Sequence, residues 1–251
     1  MLLLISPAKR MAADPDAFAP ESLPQFLPEA ERLLAALQAM SPAALRTLWR
    51  CSETLALQNL ERLAVTDLRR RLTPALLAYD GIQYRFMAPT VFETAQLDYV
   101  RSRLRILSGL YGVLRPFDGV APYRLEMQAR LAVDGCRDLY EFWGGRLAEA
   151  LAREDDCMVN LASREYSRAV APHLPPSVRF VSCTFGALAD GRVVEKGTLC
   201  KMARGRMVRW AASQGADRPE DLRDFAELDY RYDPSRSTAE SLVFLGKGDI
   251  P

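Results

Sequence analysis

The 251-residue chain contains a single histidine, His173, set among prolines. That scarcity argues against a Ser-His-Asp triad and against a histidine-built metal site. Cysteine is sparse and scattered. Cys51, Cys136, Cys157, Cys183 and Cys200 show no C-x-x-C spacing, so they read as small buried hydrophobes rather than zinc or iron–sulfur ligands. No apolar run approaches the roughly 20 residues of a membrane span. Met1-Leu2-Leu3-Leu4-Ile5 is too short for a signal-peptide core and lacks a basic flank, so the expected location is the cytoplasm. There is no internal repeat, no low-complexity tract and no clear linker. The formal net charge is only +1, and bulk charge therefore says nothing about partners.

What is present is an ordinary globular composition, 49% hydrophobic and 26% charged, sufficient for one domain spanning residues 1–251. Charge is segregated along the chain. Arg101, Arg103, Arg105 and Arg115 fall in a stretch without an acid, as do Lys196, Lys201, Arg204, Arg206 and Arg209. Acids concentrate between Asp14 and Glu31 and between Asp217 and Asp233. Such segregation can build a local positive field on a neutral protein. For most charge runs a solvated face paired with acids elsewhere is the account that wins; here it is weakened, because ion pairing at i,i+4 within the basic stretches is unavailable.

Periodicity gives a mixture of elements. Leu2 to Ile5 reads as a buried strand, and Met158 to Leu161 as another running into a loop at Ser163. Leu33, Leu34, Leu37 and Met40 mark one helix, and Ser41-Pro42 caps the next. Leu97, Val100, Leu104 and Leu107 predict a helix that continues to the glycines at 109 and 112. Gly144-Gly145 interrupts a helix around 138–151. Asp190-Gly191 joins two strands as a hairpin. Leu199, Ala203, Met207 and Trp210 predict a late helix with Lys201, Arg204 and Arg209 on its other side. Strands and helices mix without strict alternation, which predicts an α+β fold.

Ser108-Gly109-Leu110-Tyr111-Gly112 is the most distinctive turn. Its glycines allow a tight reversal that exposes successive backbone N–H groups, and such groups make an anion site. The stretch resembles the helix-hairpin-helix element of DNA-repair proteins, with one extra residue between the glycines. On spacing alone a helix C-cap at Gly109 and an ordinary turn at Gly112 are the favoured reading. Arg115 and Arg124 nearby can grip phosphate bidentately, and Tyr111 and Tyr123 supply aromatic faces. Lys9 leaves the first strand where a site mouth often lies, although an exposed loop lysine is the plainer account.

Several motifs together resemble the YaaA family of bacterial peroxide-stress proteins. They are Ile5-Ser6-Pro7-Ala8-Lys9, the run Leu107 to Pro116 followed by Pro122 to Met127, Asp138-Leu139-Tyr140 with Phe142-Trp143-Gly144, Asn160 to Ser163 with Glu165-Tyr166, and Ala203-Arg204-Gly205. The resemblance covers essentially the whole chain. It implies a compact cantaloupe-type fold, a mixed sheet surrounded by helices, with a helix-hairpin-helix-like element. It further implies DNA binding through a positively charged cleft and an association with lowered intracellular iron. Carried onto this sequence, the DNA-binding residues would be Lys9, Gly109, Tyr111, Gly112, Arg115, Arg124, Lys201, Arg204, Arg206 and Arg209. Contacts would be mostly to phosphate, largely independent of sequence, since no pattern of Asn or Gln at helical spacing offers base readout. The alternative is an enzyme acting on a nucleotide, nucleobase or damaged DNA, with Asp80, Tyr84, Glu126 and Glu165 as catalytic candidates. With one histidine a 2-His-1-carboxylate iron site is impossible, and no cofactor, metal or stable protein partner is expected. A monomer is the simplest expectation.

Overall fold

The computed structural model describes residues 1–14 and 18–247. Its organising element is the strand Leu2–Ile5, whose side chains are between 0 and 3% exposed. A strand with no polar residue can lie only where both faces are covered, and parallel pairing in the middle of a sheet provides that. Leu2–Ile5 pairs in parallel with Leu104–Ser108 on one side and Cys157–Leu161 on the other, so Ile5 lies between Ile106 and Leu161. Burying each such side chain is worth roughly 1.5–3 kcal/mol.

The sheet has eight strands. Beyond Cys157–Leu161, parallel pairing continues to Arg179–Ala189 and then to Ser241–Leu245. The edges are antiparallel: Gly112–Leu114 on Leu104–Ser108, Arg231–Tyr232 on Ser241–Leu245, and Arg192–Val194 on the outer part of Arg179–Ala189. Helices surround this mixed sheet, and the α+β expectation holds. Two short antiparallel pairs lie off the main sheet. One of them places Arg10 opposite Asp80.

Most local expectations match. Ser41 accepts a hydrogen bond from the Ala44 N–H at the start of Pro42–Trp49, and Gly144-Gly145 separates Leu139–Trp143 from Arg146–Ala152. Asp190-Gly191 turns the hairpin, both with positive φ. The helix Glu53–Val65 was not anticipated.

The element around Gly109 differs from expectation. The helix Thr94–Arg103 ends before Leu104, which already has strand dihedrals, and residues 104–114 form a β-hairpin with Ser108 opposite Gly112. The segment is strand–turn–strand, not a hairpin between two helices. Leu104 and Leu107 fit a helical stripe, but Leu104, Arg105, Ile106 and Leu107 are all buried, as a strand inside a covered sheet requires. The turn is buried as well. The Tyr111 N–H donates to Ser108 Oγ at 2.9 Å, and Trp143 Nε1 donates to the Gly109 carbonyl at 3.0 Å. A Cβ on Gly109 would lie 2.4 Å from the Leu125 carbonyl oxygen. Gly109 is glycine because the backbone of 125–126 presses on it.

The last long helix, Gly197–Gln214, is buried on most of its circumference rather than displaying a free basic face. It crosses the short helix Ile82–Met87 at Gly205, where an added Cβ would lie 2.1 Å from the Gln83 carbonyl oxygen. Gly205→Ala is therefore expected to destabilise the protein by about 1–3 kcal/mol through overpacking. Denaturant melts of the two proteins measure it, and an unchanged midpoint would show that the helices separate without cost.

Candidate anion-binding cleft

The strand Leu2–Ile5 connects onward to Leu104–Ser108 on one side, while Cys157–Leu161, later in the chain, occupies the other. The loops leaving the carboxyl ends of Leu2–Ile5 and Cys157–Leu161 therefore diverge, and open sheets bind ligands at such crevices. A cavity of about 490 Å³ lies at this place. Its walls come from five segments: 6–10 after the first strand, 80–85, 123–126, 163–166 after Cys157–Leu161, and Lys201 with Arg204 from the long helix.

The two strand ends are tied together. The Ser163 N–H donates to Ser6 Oγ at 2.8 Å, and the hydroxyls of these serines are 3.3 Å apart. Tyr84 donates its hydroxyl to the Ser6 carbonyl at 3.0 Å. Burial and the neighbouring Tyr123 hold the Tyr84 phenol well above its usual range, so it stays protonated and donates this bond at neutral pH.

Basic groups exceed carboxylates in the lining: Lys9, Arg10, Arg85, Arg124, Lys201 and Arg204 against Asp80, Glu126 and Glu165. The lysines are exposed and form the rim, whereas the side chains of Arg124 and Arg204 are only 10 and 13% exposed. Glu126 links rim to floor, with Oε2 3.1 Å from Lys9 Nζ and Oε1 3.1 Å from Arg124 Nη2. Asp80 is held by Arg10 and by Arg85, whose Nε donates at 3.0 Å. The hydrogen bond from Arg10 keeps its carboxyl below the usual range. Glu165 moves the other way. Burial raises it, the Gln128 N–H at 3.2 Å opposes the rise, and the charge of Glu126 adds to it.

The candidates named from sequence thus divide. Lys9, Arg124, Lys201 and Arg204 converge on the cavity with Asp80, Tyr84, Glu126 and Glu165. Gly109, Tyr111, Gly112, Arg115, Arg206 and Arg209 do not line it. Tyr111 is wholly buried, Arg115 is exposed elsewhere, and Arg206 is paired with Glu227. The buried turn serves the cleft indirectly, because Gly109 seats the 124–126 segment. Sequence reasoning missed Gln83, Arg10 and Arg85. The only available signal was adjacency, since each sits beside a residue that was named.

The basic stretches are largely neutralised by the acidic ones. Arg101 pairs with Glu21 at 2.9 Å, Arg103 with Asp217 at 2.7 Å, Arg105 with Glu154 and Arg206 with Glu227. The absence of acids within a stretch did not prevent pairing, because the partners come from distant segments. Lys201 has no ionic partner among the described residues.

A cationic crevice at the carboxyl ends of parallel strands, lined by Arg124, Arg204 and three carboxylates, is the candidate functional site of this fold. The sequence model described as "Peroxide stress protein YaaA" matches residues 1–236, and the chain belongs to that family. It is 49% identical to a UPF0246 protein of Lactiplantibacillus plantarum over 98% of this chain and 99% of that one. It is 46% identical to a UPF0246 protein of Desulfitobacterium hafniense, covering 98% of each, and 44% identical to one from Lachnoclostridium phytofermentans, covering 99 and 97%.

Glu165 gives a pH test. A carboxyl with a raised folded-state pKa favours the protonated form in the folded protein, so its contribution is full below the unfolded value and is lost as pH rises through the folded one. Glu165→Gln is therefore expected to raise the melting temperature at pH 7–8 relative to wild type, with the difference shrinking towards pH 4. A difference independent of pH would refute the assignment.

Proposed function

We propose that this peroxide-stress family member binds DNA at the cleft, through phosphate contacts rather than base readout, and so limits oxidative damage to it. The observation that carries this reading is the convergence of Lys9, Arg124, Lys201 and Arg204, from three separate segments, on one cavity. Basic side chains gathered from distant positions repel one another unless a polyanion or internal acids compensate them. Here the exposed lysines face outward, where a phosphate backbone can reach them. The buried turn at Gly109 takes no part. Among the described residues no group of three or more His, Cys, Asp and Glu is placed to hold a metal ion, so we place any effect on iron downstream of this binding.

The test is salt dependence. Each phosphate contact contributes about 0.9 to the slope of log K against log salt. Lys9→Ala combined with Lys201→Ala is expected to lower that slope by about 1–2. Arg137→Ala, remote and exposed, serves as the charge control. A slope that falls no further in the double variant than in the control would refute the cleft as the contact surface.

A second reading, an enzyme acting on a nucleotide or damaged DNA, is favoured by one observation. Asp80 and Glu165 line the same cavity and their carboxyl pKa values are displaced in opposite directions, as acid and base partners require. Incubation with lesion-bearing oligonucleotides and free nucleotides tests it. Turnover that Glu165→Gln abolishes while DNA binding persists is the outcome expected on this reading, and absence of any product removes it.

A further inference from the structure

We propose that the inner half of the cleft is a binding site for one free nucleoside monophosphate, with its phosphate on the guanidinium groups of Arg124 and Arg204 and its base edge on the Gln83 carboxamide. The inference rests on the reading of the cleft as an anion site and gives it a specific small ligand.

Size is the first observation. A space of 490 Å³, about 10 Å across as a sphere, is narrower than the roughly 12 Å of a B-DNA major groove alone, so a duplex can lie on the rim but cannot enter. It falls within the roughly 300–1,000 Å³ range of small-molecule sites.

The second observation is unmet polar demand. The Arg124 Nε, the Arg204 Nε and the Gln83 Nε2 are all buried and have no hydrogen-bond partner among the described residues. Gln83 is 6% exposed. The nearest ionic neighbour of Arg204 is Glu195, at 3.8 Å, which is too long for a hydrogen bond. A guanidinium withdrawn from water and so weakly paired is unfavourable unless an anion completes it. A phosphate between two arginines does that bidentately.

The third observation distinguishes a nucleotide from a bare phosphate. The cavity lining also holds a carboxamide, Gln83, which presents donor and acceptor together as a base edge requires. The carboxylates of Glu126 and Glu165 in the same lining suit ribose hydroxyls, as acidic residues do in other nucleotide sites.

Calorimetric titration of the full chain with the 5′-monophosphates of adenosine, guanosine, cytidine and uridine tests this, with inorganic phosphate, ribose 5-phosphate and the free nucleosides as comparisons. At least one monophosphate is expected to saturate at one per chain and to bind about tenfold or more tighter than every comparison compound. Gln83→Leu is expected to lose about tenfold for that nucleotide while its affinity for inorganic phosphate stays unchanged. A merely structural amide would leave nucleotide affinity untouched, and Gln83→Met is the second variant should the first fail to fold. Ribose 5-phosphate binding as tightly as the nucleotide, or an unaltered nucleotide affinity in both variants, would overturn the assignment. DNA binding measured alongside separates the two readings. DNA bound without any nucleotide removes only this inference, whereas neither DNA nor phosphate bound removes the anion site itself.

Discussion

One strand of four apolar residues, Leu2–Ile5, sets the position of everything else at the cleft. Because it has no polar side chain, it must be covered on both faces and paired on both edges. Those pairings bring residues 157–161 alongside residue 5, and the Ser6–Ser163 hydrogen bonds then fasten two loops more than 150 residues apart in the chain. The functional groups are not on the strand. They lie on the loops just beyond the strand ends, as Lys9 and Glu165 do, and on segments packed over those ends, 80–85, 123–126 and the helix carrying Lys201 and Arg204.

Electrostatics acts on top of this scaffold by subtraction. Arginines and acids are separated in sequence but meet in space, as at Arg101–Glu21 and Arg103–Asp217. Exposed pairs of this kind are individually worth little, about 0–1 kcal/mol. Their larger effect is on the field, since they cancel positive charge over much of the surface. The cleft keeps its excess because its acids are fewer and already engaged, Glu126 with Lys9 and Arg124, and Asp80 with Arg10 and Arg85.

Legibility in the sequence followed how local each signal was. Leu2–Ile5, the Ser41 cap and the Asp190-Gly191 hairpin depend on neighbouring residues and could be read directly. The stretch 104–114 could not. Its leucines satisfy helical spacing equally well, and only the tertiary demand for a strand beside Leu2–Ile5 decides between the two. For the site, the residue types at 9, 124, 126, 165, 201 and 204 were suggestive, but their meeting in one cavity is a property of the fold. Gln83 gave no signal beyond its place beside Tyr84, because a lone glutamine becomes notable only once its burial and missing partner are known.

The contact at Gly205 has a further consequence. Residues 82–87 carry Gln83, Tyr84 and Arg85, the long helix carries Lys201 and Arg204, and a backbone-to-backbone touch behind the cavity sets the spacing of these two walls. The calibre of the opening is therefore governed from the rear, by a residue that meets no ligand. A homologue with a larger residue at that one spacer would hold the walls further apart and admit a larger guest while every group facing the guest stays the same.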